Sequence, residues 1–284
     1  MIVWKELLRE GVKFLSENNI DDAQFDAYQL ILSFFDGNAA DYMLHFNDEV
    51  PAECEENYRE LIVRRSENEP LQYILGKWDF YNSSFVVGSG VLIPRPETEE
   101  LVDRSISLIR KNSFKTVYDL CSGSGCIGLS IAKECPDVQC FLFELYDDAL
   151  FYTEKNTQLL SLSNVKIIKH DVLSGYPENI PCADMIISNP PYIESYLIPE
   201  LQTEVLREPL TALDGGDDGL IFYRTFFEKW TDKLKVNGYF AFECAENQTD
   251  AIADLAGSCY INTKYKDIYG NDRFVFSLKI KEGI

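Results

Sequence analysis

Asn189, Pro190, Pro191 and Tyr192 form the segment whose residue types and spacing most clearly suggest chemistry. They directly follow residues 184–188, an apolar run that predicts a buried strand. With average residue usage, this tetrapeptide arises by chance in about one in a thousand chains of this length. Two prolines after a strand can also simply end it, so a purely structural role stays open beside a chemical one.

The chemical interpretation concerns a planar NH2 group, which is a poor nucleophile because its lone pair is delocalised, as in a peptide bond. Two acceptors that bind both N–H groups can orient the nitrogen so that its lone pair meets an electrophilic methyl group. Asn189 offers a side-chain carbonyl, and Pro190 offers a backbone carbonyl without a competing N–H. Tyr192 can lay its ring against a planar amide or base. We therefore expect methylation of a planar NH2 group, without a catalytic histidine or a metal.

A glycine-rich loop between a predicted strand and a predicted helix is the second candidate site. Its residues are Cys121, Ser122, Gly123, Ser124 and Gly125. Such a loop brings backbone N–H groups close to an anionic or nucleoside ligand, and Glu144, at the end of the next strand, can accept both ribose hydroxyls. The spacing Gly-x-Gly-x-x-Gly also suits NAD, so S-adenosylmethionine, NAD and an empty tight turn all remain possible for this loop.

Hydrophobic patterning predicts the elements that position these residues. Residues 1–75 have helical spacing and residues 76–96 are rich in turn residues, so a helical domain and a β-hairpin linker are expected. Residues 97–284 alternate strands with helices, which predicts a doubly wound α/β domain. Its last two strands leave no room for a helix between them, so one should run antiparallel. The predicted strands cover residues 116–121, 138–144, 165–170, 184–188, 238–244, 261–268 and 273–280.

Composition narrows the class of protein. The 284 residues carry 26 basic and 47 acidic side chains, a net charge of −21, which disfavours nucleic-acid binding. The eight cysteines show no C-x-x-C spacing, so neither a zinc site nor a disulfide framework is expected. No signal peptide or membrane-spanning run is apparent, so we expect a cytoplasmic protein without a membrane partner.

The sequence resembles the protein-(glutamine-N5) methyltransferases, and most of all the PrmC/HemK branch that modifies peptide chain release factors. The resemblance spans nearly the whole chain and rests on the two candidate sites and on residues 70–76, 92–99, 207–213 and 269–273. It implies a five-helix-like N-terminal domain, a hairpin linker and a seven-stranded Rossmann-like methyltransferase sheet. It also implies S-adenosylmethionine as donor, with S-adenosylhomocysteine as product, and the Gly-Gly-Gln glutamine of class 1 release factors as acceptor.

The resemblance assigns roles by position. Asn189, Pro190 and Tyr192 would be catalytic, and the donor would be held by residues 121–125, Glu144, Asp171, Val172 and Asn189. The acceptor glutamine would meet Asn189, Pro190, Pro191 and Tyr192, beside Arg95, Glu97 and Thr98.

Two positions depart from the family pattern. Cys121 replaces the first glycine of the usual loop, so its φ must be negative or the backbone strained. Val172 stands where tryptophan is common, which weakens the expectation of stacking on adenine, although Asp171 can still accept a hydrogen bond from the adenine amine.

Three alternatives remain at this point. A close relative methylates a glutamine of a ribosomal protein and shares the Asn-Pro-Pro-Tyr segment. Adenine-N6 DNA methyltransferases also act on a planar NH2 group, but they need a basic, base-flipping surface, which the net charge argues against. A regulator that binds S-adenosylmethionine without catalysis would not need an intact Asn189 pocket.

The charge of residues 1–75 yields a first prediction. This region has 6 basic and 16 acidic side chains, a net charge of −10. If it contacts a basic surface of the release factor, association should slow as salt rises, because exposed charges are screened beyond about 10 Å at 0.1 M. Methylation rates across a salt series should then fall for the whole factor and stay level for a short Gly-Gly-Gln peptide. Equal salt dependence for both substrates would contradict this role.

Overall fold

The computed structural model describes residues 1–281, and the chain forms two compact units. One comprises Met1–Lys77 with Gln202–Arg207, and the other comprises Trp78–Leu201 and the chain from Glu208 onward. The hexapeptide 202–207 therefore belongs to the first unit although it lies far along the sequence. Within the described residues, no helix is long and apolar enough to cross a bilayer.

The first unit, here called the N-terminal unit, is built from short helices. They are α1 (Trp4–Glu17), α2 (Ala23–Leu32), α3 (Ala39–His45), α4 (Ala52–Ser66) and α5 (Leu71–Leu75). Leu7 and Leu15 of α1 are fully buried, about two turns apart on the face of the helix that packs inward. Gly11 lets α1 approach α4 closely, because a Cβ atom there would lie 2.3 Å from the hydroxyl of Tyr58.

A buried ionic cluster holds the 202–207 segment within this unit. Arg65 Nε donates to Asp26 at 2.6 Å, and Arg65 also donates to Glu204 at 2.7 Å. Arg207 donates to the carbonyl of Glu67 at 2.9 Å. Burial raises the pKa of the Asp26 carboxyl, while its hydrogen bond from Arg65 opposes that shift. Removing one member of the cluster would leave a buried charge without its partner, so the side chains stabilise the unit only together.

The second unit, here called the sheet unit, contains most of the hairpin β1 (Lys77–Phe80) and β2 (Ser83–Val86) and the whole of a larger sheet. The elements that follow the hairpin are α6 (Pro96–Asn112), β3 (Thr116–Leu120), α7 (Cys126–Glu134), β4 (Gln139–Glu144), α8 (Asp147–Leu159), β5 (Val165–Lys169), β6 (Ala183–Ser188), α9 (Ile221–Thr225), β7 (Leu234–Glu243), α10 (Thr249–Ala256), β8 (Tyr260–Lys266) and β9 (Asp272–Lys279).

The larger sheet has the strand order β5-β4-β3-β6-β7-β9-β8 within residues 1–281. Strands β3 to β7 pair in parallel, and β9 runs antiparallel to both of its neighbours. The predicted seven-stranded α/β sheet with an antiparallel last strand is thus confirmed. The chain order reverses between β3 and β6, the kind of place where such sheets bind ligands at the carboxyl ends of the strands.

Side chains alternate along the strands and supply a core on each face of the sheet. Val117, Leu142 and Ile187 lie in one buried cluster, with residues of α6 and α7. Tyr118 and Phe143 point to the opposite face, into a cluster with several aromatic rings. Because both faces are covered, the central strands are apolar throughout, as expected of a parallel sheet.

The buried ionic cluster of the N-terminal unit yields a second prediction. Asp26→Ala leaves the buried Arg65 guanidinium short of its partner, so it should lower the free energy of unfolding by about 3–5 kcal/mol. Glu10→Ala is the matched control, because Glu10 pairs with Arg59 at the surface and such pairs contribute about 0–1 kcal/mol. Chemical denaturation of the whole chain measures both. Equal, small losses would show that the cluster does not stabilise this unit.

Candidate active site

The carboxyl ends of the parallel strands surround an open cavity. Most residues that the sequence predicts for the site line it: Arg95, Thr98, Cys121, Ser122, Gly123, Ser124, Glu144, Asp171, Val172, Asn189 and Pro191. Four others, Glu97, Gly125, Pro190 and Tyr192, lie outside the described wall. The glycine-loop residues 121–124 and Asn189, which are far apart in sequence, therefore share one cavity.

The glycine loop leaves β3 with a left-handed backbone. The φ angles of Cys121, Gly123 and Gly125 are +60°, +55° and +81°. Of the two possibilities expected for Cys121, the strained one is observed, and this conformation costs a non-glycine residue roughly 1–2 kcal/mol. Gly125 cannot be replaced freely, since a Cβ atom there would lie 2.9 Å from the side chain of Leu129.

Glu144 is fixed by backbone groups at the end of β4. One carboxylate oxygen accepts from Gly123 N at 2.8 Å, and the other accepts from Leu145 N at 2.8 Å and Tyr146 N at 3.1 Å. The residue is 7% exposed and lines the cavity. Oε1 already accepts two N–H groups and Oε2 only one, so this carboxylate is held in place and Oε2 can still accept from a ligand.

Asp171 and Val172 follow β5 at the same edge of the sheet. Asp171 Oδ1 accepts from Leu173 N at 2.9 Å, which fixes the turn. Val172 is 5% exposed and packs in the aromatic core cluster, and its carbonyl accepts from the indole of Trp230 at 2.9 Å. Trp230 itself is fully buried, so it presents no ring to the cavity.

Asn189 is held by its amide nitrogen and leaves its carbonyl oxygen unused. Its Nδ2 donates to Thr98 Oγ1 at 3.3 Å, and Thr98 Oγ1 donates to Glu243 at 2.7 Å. The Oδ1 atom of Asn189 is buried and has no hydrogen-bond partner among the described residues. A buried acceptor without a partner is costly, so it marks a position where a donor from a ligand is expected.

The chain after Asn189 is held by close backbone packing. The Tyr192 carbonyl accepts from Gln248 Nε2 at 2.9 Å. Gly215 and Gly219 make this approach possible, because Cβ atoms there would lie 2.7 Å from Tyr192 Cα and 2.4 Å from its carbonyl oxygen. Tyr192 is half-buried, and burial raises the pKa of its hydroxyl, so the phenol stays neutral.

Arg95 is the cation of the cavity wall among the described residues. Its guanidinium forms an ion pair with Glu208, whose side chain is buried and also accepts from Ile93 N at 3.0 Å. Glu97 lies in the first turn of α6, half-buried and outside the wall. The structure therefore brings Arg95 and Thr98 to the cavity and leaves Glu97 beside it.

Several buried groups around the cavity have perturbed acidity. Burial raises the pKa of Asp119 to about 7, against the hydrogen bond from Gly128 N. Burial also raises the pKa of Cys126 to about 12 and that of Cys121 well above its usual range. Both thiols therefore stay protonated and are poor nucleophiles at neutral pH.

Glu243 and Gln248 shape this site and were not among the residues predicted from the sequence, and Thr98 was predicted beside the acceptor but contacts Asn189. Glu243 ends β7 at the edge of the sheet where ligands bind, and this position was the signal that could have identified it. The hydrogen bond of Gln248 to Tyr192 depends on a tertiary contact that no sequence pattern indicates.

Known protein families match most of the chain. Residues 6–76 match the PrmC N-terminal domain, and residues 104–224 match the methyltransferase small domain. The release factor glutamine methyltransferase of Thermodesulfovibrio yellowstonii is 39% identical over 240 residues, which are 83% of this chain and 85% of that protein. The chain belongs to the release factor glutamine methyltransferase family.

A second member of this family supports the assignment along the full length. The release factor glutamine methyltransferase of Clostridium acetobutylicum is 34% identical over 281 residues, 97% of this chain and 98% of that protein. As a member of the family, the chain is a methyltransferase. The catalytic domain of hMettl16, solved with a MAT2A 3′UTR hairpin, has a similar fold, with a TM-score of 0.55 at 12% identity over 82% of this chain and 84% of that chain.

The fixed carboxylate of Glu144 yields a third prediction. Glu144→Ala removes a charged acceptor and releases Gly123 N, so donor binding should weaken by about the 1.5–3 kcal/mol typical of hydrogen bonds to charged groups. Titration calorimetry with S-adenosylmethionine, and with NAD in parallel, measures the change. Glu154→Ala, an exposed glutamate of α8, is the control. Unchanged donor affinity in Glu144→Ala, or binding of NAD alone, would contradict the assignment.

Proposed function

We propose that this chain transfers a methyl group from S-adenosylmethionine to the side-chain N5 of the glutamine in the Gly-Gly-Gln motif of class 1 release factors. The family supports the reaction type, and one observation supports the chemistry: Asn189 lines the cavity, and its buried Oδ1 has no hydrogen-bond partner among the described residues. A primary amide supplies the N–H donor that this oxygen lacks.

The residues of the cavity suit S-adenosylmethionine. The carboxylate of Glu144 is oriented by three backbone N–H groups for ribose hydroxyls, and Asp171 presents an acceptor for the adenine amine. The backbone of residues 121–125 would lie along the donor, and Gly123, which has no side chain, would let the donor approach the backbone closely. When bound, this cosubstrate supplies an electrophilic methyl group on a sulfonium. Val172 offers only a small apolar surface beside the adenine position.

The acceptor amide is oriented by hydrogen bonds. Asn189 Oδ1 would accept one N–H of the glutamine side chain, and the Pro190 carbonyl would accept the other, so that the nitrogen lone pair points along the line of transfer. Pro190 and Pro191 are buried and hold this segment extended. Tyr192 and Pro191 would flank the planar amide. Transfer would form the nitrogen–carbon bond and break the sulfonium's bond to the same methyl group, which leaves S-adenosylhomocysteine. The methylated nitrogen would then release one proton to water, so no nucleophilic side chain is required.

Parallel methylation reactions test the acceptor. Labelled S-adenosylmethionine is incubated with purified release factor, with ribosomal protein and with DNA, and labelled peptides are mapped. The proposal expects label on the Gly-Gly-Gln glutamine. Label on a ribosomal-protein glutamine alone, or on adenine, would replace it with one of the alternatives.

A cytoplasmic location and the absence of direct nucleic-acid binding are part of the same proposal, because release factors are soluble translation proteins.

The fourth prediction concerns Asn189. Asn189→Ala removes the acceptor and leaves one substrate N–H unpaired, a loss of about 1–3 kcal/mol, with a further loss from misorientation of the nucleophile. The kcat for methylation should therefore fall strongly while the variant remains folded. Asn189→Asp keeps an acceptor oxygen and adds a charge that can strengthen binding of the sulfonium.

The control for this prediction is Asn112→Ala, which removes an exposed asparagine of α6 in the same unit. Circular dichroism should show that all variants are folded. Tyr192→Ala should raise KM for the release factor more than KM for the donor. A wild-type rate in Asn189→Ala would refute the proposed orientation of the acceptor.

A further inference from the structure

We propose that Glu243 and Thr98 are positioning residues that hold the carboxamide of Asn189 with its oxygen toward the acceptor and its nitrogen away from it. The effect of this positioning on catalysis rests on the proposed function, whereas the hydrogen bonds among the three residues do not. It assigns a role to a buried glutamate that touches neither predicted ligand, and it replaces the expected contact of Thr98 with substrate by a contact with Asn189.

Strand register brings the three residues together. Ser188 of β6 pairs with Phe242 of the parallel strand β7, so Asn189, which follows β6, lies beside Glu243, which ends β7. Thr98 lies in the first turn of α6 and is 2% exposed. Its hydroxyl lies between the two side chains, 2.7 Å from Glu243 Oε2 and 3.3 Å from Asn189 Nδ2.

The direction of the hydrogen bonds follows from the ionised carboxylate. A carboxylate only accepts, so the single hydroxyl proton of Thr98 must point to Glu243. The Thr98 oxygen can then only accept from its other neighbour, which selects the NH2 end of the Asn189 amide. The carbonyl end, Oδ1, is thereby directed away from Thr98, where it has no partner among the described residues.

Protonation of Glu243 would remove this constraint. A neutral carboxyl can donate to Thr98, whose own proton is then free to point to Asn189, and the amide can turn its oxygen inward. Burial raises the pKa of Glu243 to about 7, while the hydrogen bond from Thr98 opposes the shift. Since the carboxylate is the form that fixes Asn189, the correctly oriented amide should be lost as pH falls through about 7.

The charged groups that face Glu243 come from several elements, and some lower the pKa of its carboxyl while others raise it. Arg273 and Arg95 favour its ionised form, and Glu97 disfavours it. Its other neighbours are neutral at pH 7 because burial raises the pKa of each: Tyr192, Tyr223, Cys126 and Cys244. Asp119, whose pKa is also raised to about 7, lies at the donor loop, so its titration should remain in any variant of Glu243.

Kinetics of four variants test the proposal with release factor as substrate. Thr98→Val removes the hydroxyl at nearly constant shape, so kcat should fall about 10- to 100-fold, the scale of a misplaced reacting group, with little change in donor KM. Thr98→Ser restores the hydroxyl and should recover most of that loss. Glu243→Gln should lose the kcat transition near pH 7, whereas Glu246→Gln, an exposed glutamate just after β7, should keep it.

A measurement without substrate separates this inference from the proposed function. In protein labelled with ¹⁵N-asparagine, the side-chain NH2 signals of Asn189 should titrate with a midpoint near pH 7 in the wild type and not in Glu243→Gln. If the wild-type protein does not methylate release factor but its Asn189 signals show this titration, the proposed acceptor is wrong and the positioning role of Glu243 and Thr98 still holds. Wild-type kcat in Thr98→Val, or an Asn189 signal that is unaffected by Glu243→Gln, would overturn the inference.

Discussion

The parallel register of β3, β4, β6 and β7 is the constraint on which the site depends. Leu120 pairs with Phe143 on one side and with Ser188 on the other, and Ser188 pairs with Phe242. Each of the four strands therefore ends at the same level, and the residues that follow emerge side by side. The hydroxyl of Ser188 strengthens this alignment by donating to the Leu120 carbonyl at 2.6 Å. A shift of one residue in any pair would exchange the side chains of that strand between the two faces of the sheet and move its end out of line with its neighbours.

Because the strand ends are fixed, the polar groups around the cavity are oriented before any ligand arrives. Glu144 is surrounded by backbone N–H groups, and Asn189 is anchored through its nitrogen alone. Groups held in this way need little reorganisation during the reaction, which is how oriented hydrogen bonds contribute most to catalysis. The two thiols of the cavity wall, Cys121 and Cys126, are protonated and offer no thiolate. The proposed transfer to a weak amide nucleophile therefore depends on such positioning.

Much of this could be predicted from the sequence, because the signals are local. Alternating elements predicted the sheet and its antiparallel last strand. The loop glycines and Asn189 each follow a strand that periodicity identifies, and Glu144 ends one. The contact of Thr98 and Glu243 with Asn189 could not be predicted, since it depends on which strands are neighbours. The same holds for residues 202–207, which belong to the N-terminal unit through the buried side chain of Arg65. For Cys121, the sequence left two possible backbone conformations, a negative φ or a strained one, because its φ depends on how tightly the loop turns.

The central claim is that the free carbonyl of Asn189 receives the acceptor amide. The most direct measurement is a crystal structure of the chain with S-adenosylhomocysteine and a Gly-Gly-Gln peptide. The claim predicts the glutamine Nε2 about 2.9 Å from Asn189 Oδ1, the usual N–H···O distance, with Asn189 Nδ2 still bound to Thr98. A glutamine amide placed elsewhere in the cavity, or an Asn189 oxygen turned toward Thr98 in that complex, would contradict it.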